Sequence, residues 1–152
     1  MKTCHETVSI AHILQEGGTV AVTVSGYSMY PMLKNRRDCV VCEKYRGDGR
    51  KYDVLLYKTD GKLVLHRVIK KHKKDGNFII RGDNCLRKEY VPEKNVIGIL
   101  TEFTRKGKDC TVKSKGYRLY SFLIVLFHPV VALKIKTKAA LSALKTRLLG
   151  RQ

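Results

Sequence analysis

Asp53-Val54-Leu55-Leu56-Tyr57-Lys58-Thr59-Asp60-Gly61-Lys62-Leu63-Val64-Leu65-His66-Arg67-Val68-Ile69 decides how this chain folds. Two apolar, β-rich runs flank Asp60-Gly61, and Asp-Gly takes the positive-φ turn whose twist matches a hairpin, so the stretch reads as two antiparallel strands. Further short apolar runs lie on either side. Residues 19–24 form a β-rich run closing on Ser25-Gly26, and residues 39–43 follow a polar, turn-like segment over 32–38. A turn at Lys74-Asp75-Gly76-Asn77 leads into residues 78–81; residues 96–103 give another strand and 110–112 a last one. Many short strands with glycine turns predict a mostly-β fold, a coiled and partly closed antiparallel sheet. Val8, Ile10, Ala11, Ile13 and Leu14, at mixed helical spacing before Gly17-Gly18, predict a short N-terminal helix over 6–16.

The 152 residues suit one domain. They divide into an N-terminal helical segment (1–18), a β-rich domain (19–115) and an apolar, basic helical tail (116–152). Lys and Arg number 31 against 13 Asp and Glu, and a net charge of +18 implies an anionic neighbour: nucleic acid, an anionic membrane surface or an acidic peptide. After Arg105, Asp109 is the only acid. Residues 119–133 are almost continuously apolar, a few residues short of a comfortable bilayer span, with His128-Pro129 late in the run. Residues 134–149 then read as a basic amphipathic helix. Together they predict C-terminal helices that attach to a membrane surface, each basic residue near an anionic leaflet adding ~1 kcal/mol. The competing expectation is a helix pair packed on the domain or on a partner protein.

Five cysteines (Cys4, Cys39, Cys42, Cys85 and Cys110) are an odd number. Cys39 and Cys42 have formal C-x-x-C spacing, but in a strand two residues three apart point to opposite faces, and no second ligand pair follows. No metal and no cofactor are expected. Unpaired thiols fit a reducing compartment. Residues 1–18 contain no apolar core of the kind a signal peptide needs.

Gly26-Tyr27-Ser28-Met29-Tyr30-Pro31 carries the first chemistry. A strand runs into Gly26, and Ser28 sits at a sharp turn at a sheet edge where a substrate carbonyl could reach it. By itself this is a turn serine. A serine nucleophile needs a base, and His is the usual one near pH 7. His66 stands in a β-run whose alternation puts it on the face opposite Leu65 and Arg67. A carboxylate must then fix the imidazole tautomer; Asp83 and Glu89 are the downstream candidates, since such sites are recognised by geometry and not by chain order.

These residues resemble a known family. Residues 26–31 are similar to the Gly-x-Ser-Met-x-Pro nucleophile box of type I signal peptidases and the related self-cleaving repressor peptidases. Lys51-Tyr52-Asp53-Val54-Leu55 resembles their Arg-Gly-Asp-x-Val strand. His66-Arg67-Val68-Ile69 matches the box in which bacterial members carry Lys-Arg-Val-Ile, and His there resembles the endoplasmic-reticulum-type enzymes. Arg81-Gly82-Asp83-Asn84 resembles their Gly-Asp-Asn box, and Val96-Ile97-Gly98 the strand after it. The resemblance covers roughly residues 19–103. It implies a serine endopeptidase acting on a leader or signal-like peptide, with Ser28 as nucleophile and His66 as general base. Gly26, Met29 and Pro31 are expected to face the substrate.

The departures matter. Glu89 falls at the distance of the acid that partners the histidine in eukaryotic-type members, so Glu89 is expected to orient His66 with Asp83 more structural, the reverse staying open. Gly26 stands where the family has a hydroxyl residue, leaving backbone N–H groups, chiefly that of Ser28, for an oxyanion hole. The N-terminal anchor and the inserted substrate cap are missing. Attachment through the C-terminal tail would leave the domain facing the cytoplasm of a bacterial cell. Two alternatives stay open: a repressor-type regulator, for whose DNA-binding helices the short N-terminus leaves no room, and a non-catalytic basic module binding nucleic acid or membrane.

Overall fold

The computed structural model describes residues 4–72 and 74–149. In chain order these form α1 (Cys4–Gln15), β1 (Thr19–Thr23), β2 (Cys39–Lys44), β3 (Val54–Thr59), β4 (Lys62–Lys71), β5 (Phe78–Arg81), β6 (Glu89–Val91), β7 (Val96–Arg105), β8 (Lys108–Thr111), α2 (Lys115–Leu126) and α3 (His128–Leu149). The fold is mostly β, with a partly closed antiparallel sheet, a short N-terminal helix and two C-terminal helices. Strand order is β1-β2-β7-β3-β4-β5-β6, with β8 on β7.

The hairpin at Asp60-Gly61 forms as its sequence dictates. Both turn residues have positive φ (46° and 69°), and the two-residue loop fixes Leu55 opposite His66 and Val54 opposite Arg67. Bulges bend the sheet between Val41 and Cys42, Leu56 and Tyr57, and Val68 and Lys70. A bulge sharpens local twist, and the three curl the sheet toward closure. β7 is the seam, pairing with β2 along most of its length, with β3 at its start and with β8 at its end. Helix α1 ends at glycine for a conformational reason. Gly17, at φ +84°, donates to the Leu14 carbonyl and Gly18 to that of Ile13, the paired bonds that close a helix on a left-handed residue.

The curled sheet has two apolar sides. Leu14, Met29, Met32, Val40, Leu56 and Leu100 belong to one cluster, and Leu55, Tyr57, Val68, Phe78, Ile80 and Val91 to the other. Period-2 alternation along β4 therefore sends His66 toward the second side and Arg67 toward the first.

Three features depart from the sequence reading. β6 was not anticipated; a three-residue strand stopped by Pro92 offers too little alternation to register. Residues 119–133 are not one run followed by a separate helix from 134. The chain breaks at Phe127, because Pro129 lacks a donor and fits only the first turn of a new helix, and α3 carries the apolar and the basic residues together. Nor is α3 amphipathic in the simple sense. Val130, Leu133 and Leu141 stand exposed on one side, while Val131, Ala132 and Ile135 are half-buried on the other. No single described helix is long and apolar enough to cross a membrane; α2 and residues 128–143 would do so only together, and they are bent by 62°.

Candidate active site

Ser28 rides on the loop between β1 and β2. Val24 N–H donates to the Asp38 carbonyl at 2.9 Å and Arg36 N–H to that of Val24 at 2.8 Å, closing the base of the loop. The Asp38 carboxylate accepts from Arg37 and from the backbone of Lys34 (2.8 Å) and Lys106 (3.3 Å). The Arg37 bond, against the opposing effect of burial, pulls its pKa to about 2. At the loop's shoulder Gly26 adopts φ +100°, open to glycine at little cost, and its N–H donates to Asn35 Oδ1 at 2.9 Å. Met29, Met32 and Leu33 plug the loop into the core from below.

That packing corrects one expectation. Met29 is 2% exposed, so its side chain anchors the loop from inside and does not line a substrate groove. Pro31 is exposed and Gly26 half-buried at the rim, while Tyr27 and Tyr30 point outward.

The turn after β5 is tied to this loop. Asn84 N–H donates to the Ser28 carbonyl at 2.8 Å, and Asn84 Nδ2 to the Tyr27 carbonyl at 3.2 Å. Gly82 is the pivot. A Cβ at that position would lie 2.7 Å from the Ser28 carbonyl oxygen, 2.8 Å from Cys85 Sγ and 3.0 Å from His66 Nε2. Only glycine lets the Ser28 main chain, the Cys85 thiol and the imidazole converge here. Burial, with the Glu89 charge adding to it, raises the Cys85 pKa, so the thiol stays protonated.

His66 is held from its other nitrogen. Nδ1 lies 3.3 Å from Glu89 Oε1 and 3.0 Å from the Tyr57 hydroxyl, which donates to Glu89 Oε2 at 2.8 Å. These contacts assign the tautomer. The one phenolic proton goes to the carboxylate, so the Tyr57 oxygen accepts from His66, and the imidazole proton sits on Nδ1. Nε2 is left with a lone pair on the Gly82 side. Burial lowers the His66 pKa below its usual 6.5, outweighing the Glu89 and Asp83 charges and the Glu89 hydrogen bond that raise it, and the ring is neutral at pH 7. Burial and Glu89 push the Tyr57 phenol far above its ordinary range, keeping it a donor. Among the described residues Ser28 Oγ and His66 Nε2 share no hydrogen bond, and the Ser28 N–H has no acceptor.

Asp83 serves a different neighbour. Its two oxygens accept from Arg67 Nε at 2.7 Å and Nη2 at 2.9 Å, a bidentate pair in which Arg67 is fully buried and Asp83 4% exposed. Arg67 also donates to the Tyr52 carbonyl, the Tyr117 hydroxyl and Ser121 Oγ, and Tyr120 donates to Asp83 at 3.2 Å. Burial opposes the charge on Arg67, but Asp83 outweighs it and the guanidinium pKa is raised. Tyr52 holds the left-handed φ of +82° at the position where the resemblance expects glycine, and its ring packs edge-on against Phe122 of α2 at 6.1 Å. Helix α2 is thus bolted to the underside of the site.

The structure brings the Ser28 main chain close to His66 at Gly82 and joins His66 to Glu89 directly and through Tyr57; it assigns Asp83 to Arg67. Tyr57 was missed, although the signal was present. The Asp60-Gly61 turn sets Leu55 opposite His66, so Tyr57, two residues on, must share the His66 face. Cys39 is half-buried and Cys42 fully buried, its thiol pushed up to about 12 by desolvation. Among the described residues no group of His, Cys, Asp and Glu is arranged to hold a metal ion. No protein-family model matches the chain, and no curated protein matches it.

Proposed function

We propose that the protein is a serine endopeptidase of the signal-peptidase-like class, cleaving a peptide bond in a leader or signal-like peptide. One observation carries this reading: His66 Nδ1 is fixed by Glu89 and Tyr57, leaving Nε2 unprotonated on the side of the Ser28 loop. In the proposed reaction Nε2 takes the Ser28 proton as Oγ attacks the substrate carbonyl. Glu89 stabilises the imidazolium, with the Tyr57 hydroxyl as a neutral bridge. The Ser28 N–H, for which no described group is an acceptor, would serve the oxyanion, a donor worth about 3 kcal/mol in such sites. His66 then hands its proton to the leaving amine, and water releases the acyl group through the same base. Apo hydrogen bonds between nucleophile and base often tighten only with substrate, so their absence here is compatible with the scheme. β1 pairs on one side only among the described strands and runs straight into the Ser28 loop, so an extended peptide can add along its free edge. Cys39, Cys42, Cys85 and Cys110 are free, which favours a cytoplasm-facing location.

The net charge of +18 favours one second reading, a non-catalytic basic module for nucleic acid or membrane. A single experiment separates the two. A fluorophosphonate probe should phosphonylate the wild type at Ser28, with loss of fluoride, and Ser28→Ala and His66→Ala should both lose the label. Equal labelling of all three, or steeply salt-dependent nucleic-acid binding by an unlabelled protein, would remove the peptidase reading.

A further inference from the structure

We infer that the bent α2–α3 pair lies in the plane of an anionic lipid bilayer and holds the Ser28 mouth against that surface. The docking half stands on the helices alone; the consequence for substrate rests on the peptidase reading.

α3 is a 22-residue helix that leaves the domain after its first turns, and residues 136–143 are all exposed. Most helices in proteins owe their stability to tertiary packing of one face, which this stretch lacks. Its solvent side carries Val130 at 53%, Leu133 at 62% and Leu141 at 67% exposure, spaced to stand in one stripe. Leu126 and Phe127, each 55% exposed, continue the stripe across the bend. Lys134 and Lys138 flank it on one side and Lys136 on the other, long side chains that can reach past an apolar surface to headgroups. Neither helix contains an acid, and the chain from Arg105 onward holds only Asp109. An apolar stripe between cationic rims complements an anionic bilayer surface. The two helices are bent by 62°, which suits lying along a surface better than crossing it.

The bend also touches the site. His128, the first residue of α3, hydrogen-bonds through Nε2 to the Cys85 carbonyl at 2.9 Å, in the same turn whose Asn84 grips Tyr27 and Ser28. The first turn of α3, whose inward face makes this contact, is therefore one turn removed from the nucleophile loop. The exposed Tyr27, Tyr30 and Leu86 flank the mouth. A site seated in this way takes peptides that are themselves held at the membrane, with the scissile bond close to the headgroups.

The test uses the full chain and large vesicles of phosphatidylcholine, with and without phosphatidylglycerol. The wild type and Ser28→Ala should co-sediment equally with the anionic vesicles, at least tenfold more tightly than with neutral ones. Leu133→Glu/Leu141→Glu should release the protein while leaving Ser28 labelling in solution unchanged. Lys134→Gln and Lys138→Gln should each cost about fivefold in partitioning. The chain has no Trp, so Phe127→Trp supplies a single reporter, quenched by shallow and not by deep brominated lipids. Equal binding to neutral vesicles, or a double variant that binds like wild type, overturns the proposal. So does quenching at the bilayer centre, which means spanning, or a dimer that the double variant dissociates, which means a second copy covers the stripe. Loss of Ser28 labelling with vesicle binding intact would sink the peptidase reading alone.

Discussion

His66 and Arg67 are consecutive residues of one strand, face opposite sides of the sheet, and each meets a carboxylate from the chain after β5. The resemblance ends there. Arg67 and Asp83 form a dry, bidentate pair with side chains 0% and 2% exposed, braced by three helix side chains. The His66–Glu89 contact is longer, and the Glu89 side chain is 32% exposed. A fully buried pair has no protons to exchange with a substrate and every reason to stay intact; a neutral imidazole with one nitrogen held and the other open is able to work. Two carboxylates six residues apart meet different partners, Asp83 a buried guanidinium and Glu89 an imidazole and a phenol.

The comparison breaks most visibly at Asp83. Asp83→Asn strands a buried guanidinium, and urea denaturation should show a loss of about 3–5 kcal/mol. Loss of that size with little change in the Ser28 labelling rate of the folded fraction at neutral pH is the expected pattern. Glu89→Gln should invert it. The rate of Ser28 labelling by the fluorophosphonate should fall roughly 10²–10³-fold, less than the loss typical of a triad whose sole orienting acid is replaced, because Tyr57 still holds Nδ1. Stability measured in the same urea experiment should change by only about 1 kcal/mol. Tyr57→Phe is the smallest effect. It removes one hydrogen bond to each partner, leaves Glu89 in place, and should slow Ser28 labelling about tenfold at constant fold. A drop as large as that of Glu89→Gln would make Tyr57 the principal support of His66.

Much of this was readable in advance because the strongest local signals sit where the site is built. Asp60-Gly61 sets the register that aligns His66, and the Gly26–Pro31 segment can only be a loop on a strand end. The different placement of Asp83 and Glu89 was readable only from the distance at which Glu89 falls in the resemblance, with the reverse left open. Both lie in reach of the same strand, and choosing between them depends on where Arg67 is buried and on the short β6 strand that carries Glu89 back to Tyr57. The C-terminal helices were expected, but which of their faces turns inward hid for a related reason. Residues 119–133 look uniform in hydropathy, yet Tyr120 and Ser121 turn inward to Asp83 and Arg67 while Leu126 and Phe127 face out. Composition sees one apolar run; only packing separates its two faces. Tyr52 shows the same limit, since a left-handed tyrosine is tolerated because Phe122 and Arg67 hold it.

The central claim is that Ser28 is activated by a neutral His66 held by Glu89. The pH dependence of Ser28 phosphonylation by a fluorophosphonate tests it most directly. Because the base must be unprotonated, the rate should fall as pH drops through the folded His66 pKa, with a midpoint below 6.5. Glu89 raises that pKa, so Glu89→Gln should move the midpoint to still lower pH while Asp83→Asn moves it less. His66→Ala should abolish the limb. A labelling rate that does not vary with pH in the wild type, or a limb that survives His66→Ala unchanged, would contradict the account.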